Sequence, residues 1–259
     1  MKLTNAISLI LCGSFIASGA AQAQSGLWTN LVSYWPFDTV TANSTGTVTP
    51  DLAIGNDLIL SNAPALVPGE DGNCFQFNGT SQFLGLVHST EPWDNGLPIY
   101  YSTNGYTVAF WVNGPASQPD NSTVYSEGSL ANSGLLLDFA TEGGSLRLYI
   151  RNDEGTAVVN NYISQATVFD NTWHFVAWSD YQGTGTLYID GNVDMTTNYP
   201  YSLAGGPNAN DDSVGVLYRS TPVDFFTGMV DDLALWNRVL SPSEIQTVMT
   251  SGIPTPIPP

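Results

Sequence analysis

The feature that most constrains the fold is a succession of short runs rich in Val, Ile, Phe, Tyr and Trp, each bounded by Gly, Asn, Asp or Pro. Such runs are typical of β-strands separated by turns. The run YTVAFWV, residues 106–112, has apolar residues at both parities, which favours a central strand covered on both faces. Many short strands with polar turns predict a β-sandwich. The other candidate strands are residues 31–37, 73–79, 134–140, 145–151, 173–179, 186–191 and 229–236.

One helix is predicted near the C-terminus. Ser241 can cap it, and Glu244 completes a capping box. The apolar residues that follow keep helical spacing, and Gly252 ends the helix. We expect this helix to plug one end of the sandwich. The proline-rich tail 253–259 is expected to be extended.

Residues 1–23 resemble a secretory signal. Lys2 precedes an apolar stretch, residues 6–17, and the segment ends in the small-x-small pattern of residues 21–23. The stretch is too short for a membrane span, and no later apolar stretch approaches that length. We therefore expect a secreted product, extracellular, periplasmic or at the cell surface. Its residues 24–252 are enough for one all-β domain.

The composition is strongly acidic. The chain has 23 acidic and five basic residues, and because Lys2 lies in the predicted signal, the mature chain has four arginines and a formal net charge of −19. Such a surface repels nucleic acid and anionic lipid and attracts cations such as calcium. A requirement for solubility is an alternative explanation. The mature chain keeps one cysteine, Cys74, so an intramolecular disulfide is excluded.

Two segments towards the C-terminus carry the most specific motifs. NTWHFVAWSDYQGTGTLYIDGNV, residues 171–193, joins Trp-His to a Leu-Tyr-Ile-Asp-Gly hairpin, and FTGMVDDLALWNRVLSPSEI, residues 226–245, leads from an Asp-Asp strand into Trp-Asn-Arg. LVSYWPFD, DLAIGNDLIL, CFQFNGTSQFLGL and YTVAFWV precede them in order. Together these segments resemble the LamG-like (laminin G-like) jelly roll of the concanavalin A-like lectin/glucanase superfamily, over residues 31–250.

This resemblance implies an all-β fold, a two-sheet antiparallel jelly-roll sandwich of the concanavalin A-like kind with one short C-terminal helix. It also implies a domain that commonly holds calcium and often binds carbohydrate or protein, and it does not imply catalysis. Two features depart from the family's pattern. Asn78 stands where the family usually has Asp before Gly, and the stretch between Leu86 and Tyr106 is longer than usual.

Two adjacent acids, Asp231 and Asp232, stand in the otherwise apolar run 229–236. A buried carboxylate costs free energy unless it is paired or holds a metal. Because side chains alternate along a strand, one of the two must point towards a packed layer. The alternative to a metal is that one acid caps backbone amides and the other faces water.

The metal prediction joins three segments. In the resembled family the N- and C-terminal strands lie close together, which would bring Asp38 near the acid pair. The segment DLAIGND, residues 51–57, adds further oxygen ligands around a glycine. Oxygen ligands suit calcium, and no cluster of His or Cys indicates zinc. We therefore expect structural Ca²⁺ bound by Asp38, Asp51, Asn56, Asp231 and Asp232.

Two long polar segments, residues 88–106 and 198–213, are expected to be loops that bind a ligand. Sugars pack their apolar faces on aromatic rings and form hydrogen bonds with polar groups at the rim. The alternative is that the aromatic side chains only anchor the loops to the sheet. The predicted ligand-binding residues are Trp93, Tyr100, Tyr101, Tyr199 and Tyr201.

No catalytic arrangement is evident in the sequence. Glycosidases of the superfamily place acids at alternate positions of one strand, and nowhere in this chain does a single residue separate two acids. A Ser-His-Asp or Cys-His site needs a positioned histidine. Only His88 and His174 exist; His174 belongs to a strand motif, and His88 has no recognisable partner.

These patterns predict a secreted, non-catalytic binding module, stabilised by calcium, whose ligand is a glycan. Two alternatives stay open. One is a structural or adhesive extracellular protein that binds other proteins through a broad apolar patch. The other, ranked last, is a polysaccharide-cleaving enzyme with paired carboxylates that sequence spacing does not reveal.

Overall fold

The structure, a computed structural model, describes residues 26–90, 95–206 and 208–254. These residues form β-strands, a 3₁₀ turn at Ile99–Tyr101 and an α-helix, α1, at Pro242–Ser251. No helix in this part of the chain is long and apolar enough to cross a membrane. The strands are β1 (Leu31–Trp35), β2 (Thr41–Asn43), β3 (Gly46–Thr49), β4 (Leu58–Ser61), β5 (Ala65–Pro68), β6 (Asn73–Asn78), β7 (Phe83–Val87), β8 (Tyr106–Asn113), β9 (Thr123–Gly128), β10 (Leu136–Glu142), β11 (Ser145–Arg151), β12 (Ala157–Thr167), β13 (His174–Tyr181), β14 (Thr184–Ile189), β15 (Asn192–Asn198), β16 (Asp211–Val214) and β17 (Thr227–Trp236).

The strands pair into two antiparallel sheets, which confirms the predicted sandwich. The eight-stranded sheet has the order β15–β14–β13–β8–β17–β6–β5, with β1 also paired to β17. The nine-stranded sheet has the order β12–β11–β10–β9–β16–β7–β4–β3–β2. Strand β8 lies between β13 and β17, and its residues are buried or half-buried. This central position is the one that the run YTVAFWV predicts.

Apolar cores cover both faces of the eight-stranded sheet. The core between the sheets is built on fully buried side chains such as Phe110 and Trp178. The second core lies on the outer face, where Ala109 and Ala177 pack with Ile245 of α1. Helix α1 therefore covers the outer face of this sheet and does not plug one end of the sandwich as the sequence predicts.

The two ends of α1 agree with the sequence prediction. The Ser241 hydroxyl accepts a hydrogen bond from the Glu244 backbone N–H, and the Glu244 carboxylate accepts one from the Ser241 backbone N–H at 2.8 Å. This pair is a capping box. The helix ends at Gly252, whose φ of +65° lies in the left-handed region that glycine adopts without strain.

One segment predicted as a loop contains a strand. Residues 198–213 were expected to be irregular, but Asp211–Val214 forms β16, which is buried between β7 and β9. Aspartate and serine are poor strand formers, so the local sequence does not predict this strand. As a result, Asp211 and Asp212 lie inside the sheet rather than in a loop.

Candidate functional site

The pair Asp231–Asp232 lies at a β-bulge in β17. Asp231 pairs with Trp111 and Ala234 pairs with Ala109, so β17 has one residue more than β8 between these two pairs. Asp232 is the extra residue, and its φ of +49° lies in the left-handed region, which aspartate tolerates better than most residues. The bulge explains why the alternation of the strand is interrupted at two adjacent acids.

Asp231 is fully buried and caps backbone amides. Its carboxylate accepts hydrogen bonds from the backbone N–H groups of Glu70 at 2.9 Å, Asp71 at 3.2 Å and Asp232 at 3.0 Å. The first two amides belong to the turn between β5 and β6. Burial, followed by the charge of Asp232, raises the pKa of Asp231 to about 8. This capping role is the alternative to a metal that the sequence leaves open.

Asp232 and Asp38 lie in the same acidic cluster. Asp232 is half-buried and accepts a hydrogen bond from the Tyr34 hydroxyl at 2.7 Å. Burial raises the pKa of Asp232 to about 7, and the charges of Asp71 and Asp38 add to the rise. The Asp38 carboxylate accepts a hydrogen bond from the first backbone N–H of β6 at 2.9 Å. Asp38, Asp231 and Asp232, three of the predicted metal ligands, are therefore brought together.

Asp51 and Asn56, the other predicted ligands, shape the loop that follows β3. The Asn56 side-chain amide donates to the Ser33 hydroxyl at 2.8 Å and to the Asn95 carbonyl at 3.1 Å. The prediction that these two residues bind calcium has no support from this geometry, because the chain itself satisfies the Asp51 carboxylate. That carboxylate accepts, at 2.7 to 3.1 Å, the backbone N–H groups of Tyr34, Ala53, Ile54, Gly55 and Asn56.

A cavity of about 290 Å³ opens beside the acidic cluster. Its lining includes Glu70, Asp71, Asp232, Trp111 and the C-terminal turn of α1. The last carbonyls of a helix carry partial negative charge, so this cavity favours cations. Within the described residues, no group of three or more His, Cys, Asp or Glu side chains is arranged to hold a metal ion. Calcium therefore stays a prediction.

The two aromatic loops meet in a single cluster. The rings of Tyr100 and Tyr201 are 4.9 Å apart, and the Tyr201 hydroxyl donates to the Tyr100 carbonyl at 3.0 Å. Tyr100, Tyr101 and Tyr199 are buried, with exposures of 0%, 6% and 7%. Because these three rings are buried, a ligand cannot reach their faces. They anchor the loops instead, which is the alternative that the sequence left open. Trp93 lies outside the described residues.

Three ionisable side chains meet close to these loops. Glu127 of β9 lies directly opposite Asp212 of β16, and both are fully buried. The Glu127 carboxylate accepts the backbone N–H groups of Ile99 and Tyr100. His88 Nε2 lies 3.0 Å from Asp212 Oδ2; burial alone would lower the pKa of His88, but the hydrogen bond and charge of Asp212 raise it to about 9. His88 thus has a partner that the sequence does not reveal, and the carboxylate pair supports the loop from inside the fold.

An open groove of about 330 Å³ lies over the outer face of the nine-stranded sheet. Its floor includes Ile59 of β4 and Phe83, Gly85 and Val87 of β7, and the Tyr218 ring forms a wall. The Tyr218 and Phe83 rings are 5.1 Å apart. A Cβ atom at Gly85 would lie 3.2 Å from the Tyr218 ring, so the absence of a side chain there lets the ring approach the sheet.

The rim of this groove is polar. Asn43, Thr45, Asp57 and Ser61 line it from the β2–β3 turn, the loop before β4 and the end of β4. An apolar floor, an aromatic wall and a few polar groups are typical of small-molecule sites. Sequence reasoning did not identify these residues as a site. The available signal was the glycine inside FLGLV, since glycine within a strand often marks a close approach by another group.

A family model of the laminin G type, described as "Concanavalin A-like lectin/glucanases superfamily", matches residues 94–246. This match spans more than half of the chain. The chain belongs to the concanavalin A-like lectin/glucanase superfamily. The resemblance found in the sequence is confirmed, and the two antiparallel sheets agree with the jelly roll that it implies.

Individual relatives are distant. "Sushi, von Willebrand factor type A, EGF and pentraxin domain-containing protein 1" of Rattus norvegicus is 26% identical over 172 residues, which are 61% of this chain and 4% of that protein. This chain therefore spans a small part of that relative.

Solved structures share the fold at low identity. Domain 4 of AbnA, a GH43 extracellular arabinanase from Geobacillus stearothermophilus solved in complex with arabinotriose, has 19% identity and a TM-score of 0.61, over 85% of this chain and 98% of that one. The binding domain of botulinum neurotoxin DC, solved with rat synaptotagmin II, has 14% identity and a TM-score of 0.63, over 86% of this chain and 52% of that one. At such identities the likeness shows the fold alone.

Proposed function

We propose that this protein is a secreted, non-catalytic carbohydrate-binding module whose ligand lies in the groove beside Tyr218. The observation that carries the proposal is the composition of that groove, a half-buried tyrosine ring over an apolar strand with a polar rim. A sugar ring can pack its C–H face on Tyr218 and Val87, while its hydroxyls reach Asn43 and Ser61.

Two relatives support a glycan as the ligand. Domain 4 of the arabinanase AbnA was solved with arabinotriose, and the likeness covers 98% of that domain. A structure of botulinum neurotoxin type C, whose cell entry is dependent upon interaction with two ganglioside molecules, shares this fold with a TM-score of 0.64, at 13% identity, over 88% of this chain and 53% of that one. Protein binding is the alternative, because the neurotoxin domain that shares this fold was solved with synaptotagmin.

The absence of catalysis is part of the proposal. Glycoside hydrolysis ordinarily uses two carboxyl groups that flank the scissile bond. Among the described residues that line the groove, Asp57 is the one carboxylate. Glu127 and Asp212 do form a carboxylate pair, but both are fully buried inside the sheet and Glu127 is hydrogen-bonded to backbone amides. That pair supports a loop rather than flanking a substrate.

Calcium binding and secretion are also proposed. For calcium we propose the acidic cavity beside α1, because Glu70, Asp71, Asp232 and the C-terminal turn of the helix line it. Secretion rests on the signal-like segment 1–23. Its test is the N-terminal sequence of the protein recovered from the host medium or periplasm, which should begin near residue 24.

The groove is tested by Tyr218→Ala, with Tyr181→Ala as the matched control. Tyr181 is 55% exposed on β13 of the other sheet, so its removal takes away an exposed ring without touching the groove. Loss of a stacked ring should weaken glycan binding about tenfold, from roughly 1.5 kcal/mol of aromatic contact. Affinity electrophoresis and calorimetry against a polysaccharide panel would measure this. If Tyr218→Ala and Tyr181→Ala bind the glycan with equal affinity, the groove is not the binding site. If the protein binds other proteins but no glycan, an adhesive role is favoured.

A further inference from the structure

The arginines of this chain are unevenly placed. The mature chain has four arginines and no lysine, and three of them, Arg147, Arg151 and Arg219, come together at the nine-stranded sheet. The fourth, Arg238, pairs with Glu244 of α1 at 2.8 Å. Arg147 and Arg219 are only 8% and 7% exposed. Burying a guanidinium is costly unless it is paired, so two buried cations beside the half-buried Arg151 need an explanation.

Ion pairing explains one of the three. Arg147 Nη2 lies 2.7 Å from Asp138 Oδ2. Arg151 and Arg219 instead donate to the carbonyls of Gly134 and Ser129 at 2.6 and 2.9 Å. Within the described residues, neither of these two guanidinium groups lies within ion-pair distance of a carboxylate.

Arg151 also has an unused donor, and its charge lies near that of Arg219. Arg151 Nη2 is buried without a hydrogen-bond partner. Burial, followed by the nearby charge of Arg151, lowers the pKa of Arg219. Two like charges held together, one of them with an unused donor, attract an anionic group, and guanidinium groups bind carboxylate or sulfate oxygens in a forked geometry.

Asp211 lies near Arg219 and supplies an unused acceptor. It is 1% exposed, and neither of its carboxylate oxygens has a hydrogen-bond partner. Its register partner on β9 is Gly128, where a Cβ atom would lie 3.7 Å from Arg219 Nη1. Leaving a buried carboxylate without hydrogen-bond partners is costly, so a group that donates to it would stabilise the site.

This arginine site adjoins the groove. Tyr218 and Arg219 are consecutive; the tyrosine ring lies over Gly85 of β7, and the guanidinium lies by Gly128 of β9. Strand β16 separates β7 from β9, so the two contacts are roughly 10 Å apart. Neighbouring sugar units of one glycan chain can bridge that distance.

We infer that Arg151, Arg219 and Asp211 form a second subsite of the groove that takes an anionic sugar unit, whose carboxylate or sulfate group binds the two guanidinium groups while a hydroxyl donates to Asp211. The inference rests on the proposed function, because it assigns a ligand class to the same glycan site. It makes an acidic polysaccharide the preferred ligand despite the overall negative charge of the protein.

The test compares matched polymers against the full mature protein. Polygalacturonate is paired with its methyl ester, and dextran sulfate with dextran, so that each pair differs in the anionic group. The acidic member of at least one pair should bind about tenfold more tightly, and which pair responds distinguishes carboxylate from sulfate. Binding should persist as salt is raised, since screening also weakens the overall repulsion. Equal or tighter binding of the neutral member in both pairs would overturn the inference.

Three variants locate the effect. Arg151→Gln and Arg219→Gln should bring the two members of the responding pair to equal affinity, while the control Arg238→Gln keeps the preference. Arg151 is half-buried, so Arg151→Gln remains informative if Arg219→Gln fails to fold. An unchanged preference in Arg151→Gln would overturn the inference. If the protein binds neutral glycans through Tyr218 and shows no preference for acidic ones, the proposed function stands and the inference fails. If it binds no glycan, both the proposed function and the inference fail.

Discussion

The change Asp231→Ala should lower the free energy of unfolding by about 3 kcal/mol. The Asp231 carboxylate accepts backbone hydrogen bonds from Glu70, Asp71 and Asp232 at 2.9 to 3.2 Å. Each hydrogen bond of this kind contributes about 1 kcal/mol, and alanine removes all three. For a domain of this size, about 3 kcal/mol corresponds to a fall in Tm of roughly 6–12 °C. Asp231→Asn keeps an acceptor oxygen and should cost much less.

Urea and thermal unfolding in the presence of a chelator measure this loss without a contribution from any bound cation. The comparison variant is Asp232→Gly, which removes one hydrogen bond, from Tyr34, and places glycine at a left-handed position where it is unstrained. Asp232→Gly should therefore cost about 1 kcal/mol or less. A loss for Asp231→Ala no larger than that for Asp232→Gly would refute the capping role of Asp231.

Three other predictions concern the acids of the fold. Burial raises the pKa of Asp211, Asp231 and Asp232 to about 7, 8 and 7, so the native state holds protons that the unfolded chain releases. Their contribution to stability is present below the ordinary aspartate pKa of about 4 and is lost as pH rises through about 7–8. The Tm measured with a chelator should therefore be higher at about pH 5 than at about pH 8.5. A Tm that rises between these two pH values would contradict the raised pKa values. Calcium at about pH 8 should raise Tm in the unmodified protein more than in Asp232→Asn, and an equal response of the two would place any bound calcium elsewhere. Asp51→Ala removes five amide hydrogen bonds and should destabilise more than Asp231→Ala by the same unfolding assays; a smaller loss would show that the 51–56 loop does not depend on this carboxylate.

The sandwich and its helix could be predicted because their signals are local. Strand β8 has apolar residues at both parities, and α1 has its capping box and its terminal glycine within a dozen residues. The motif of residues 226–245 added the family, which the match to residues 94–246 confirms. These features depend on residues that are neighbours in the sequence, so they can be predicted without knowledge of tertiary contacts.

The groove could not be predicted in the same way. Tyr218, Gly85 and Asn43 come from three separate segments, and they come together only because β2, β3, β4, β7 and β16 pair in one sheet. Aromatic residues in the long loops were the stronger local signal. Those rings fill space between the loops, as Tyr100 and Tyr201 do, and composition alone does not distinguish a buried ring from an exposed one.

The roles of the acids likewise depend on tertiary contacts that the local sequence does not show. The bulge at Asp232 changes which side of β17 each residue faces, and no local pattern marks it. Two of the three amide partners of Asp231, Glu70 and Asp71, lie about 160 residues away in the chain. Asp212 is likewise satisfied only by tertiary partners, the Tyr125 hydroxyl at 2.6 Å and His88, so its strand reads as a polar loop.

Amide hydrogen exchange of the mature protein, with and without the tightest-binding glycan of the panel, tests the central proposal most directly. Ligand-dependent protection is expected in β4, in β7 and in the segment that carries Tyr218. Protection confined to α1 and the outer face of the eight-stranded sheet would contradict the proposed groove, as would the absence of binding to every glycan tested.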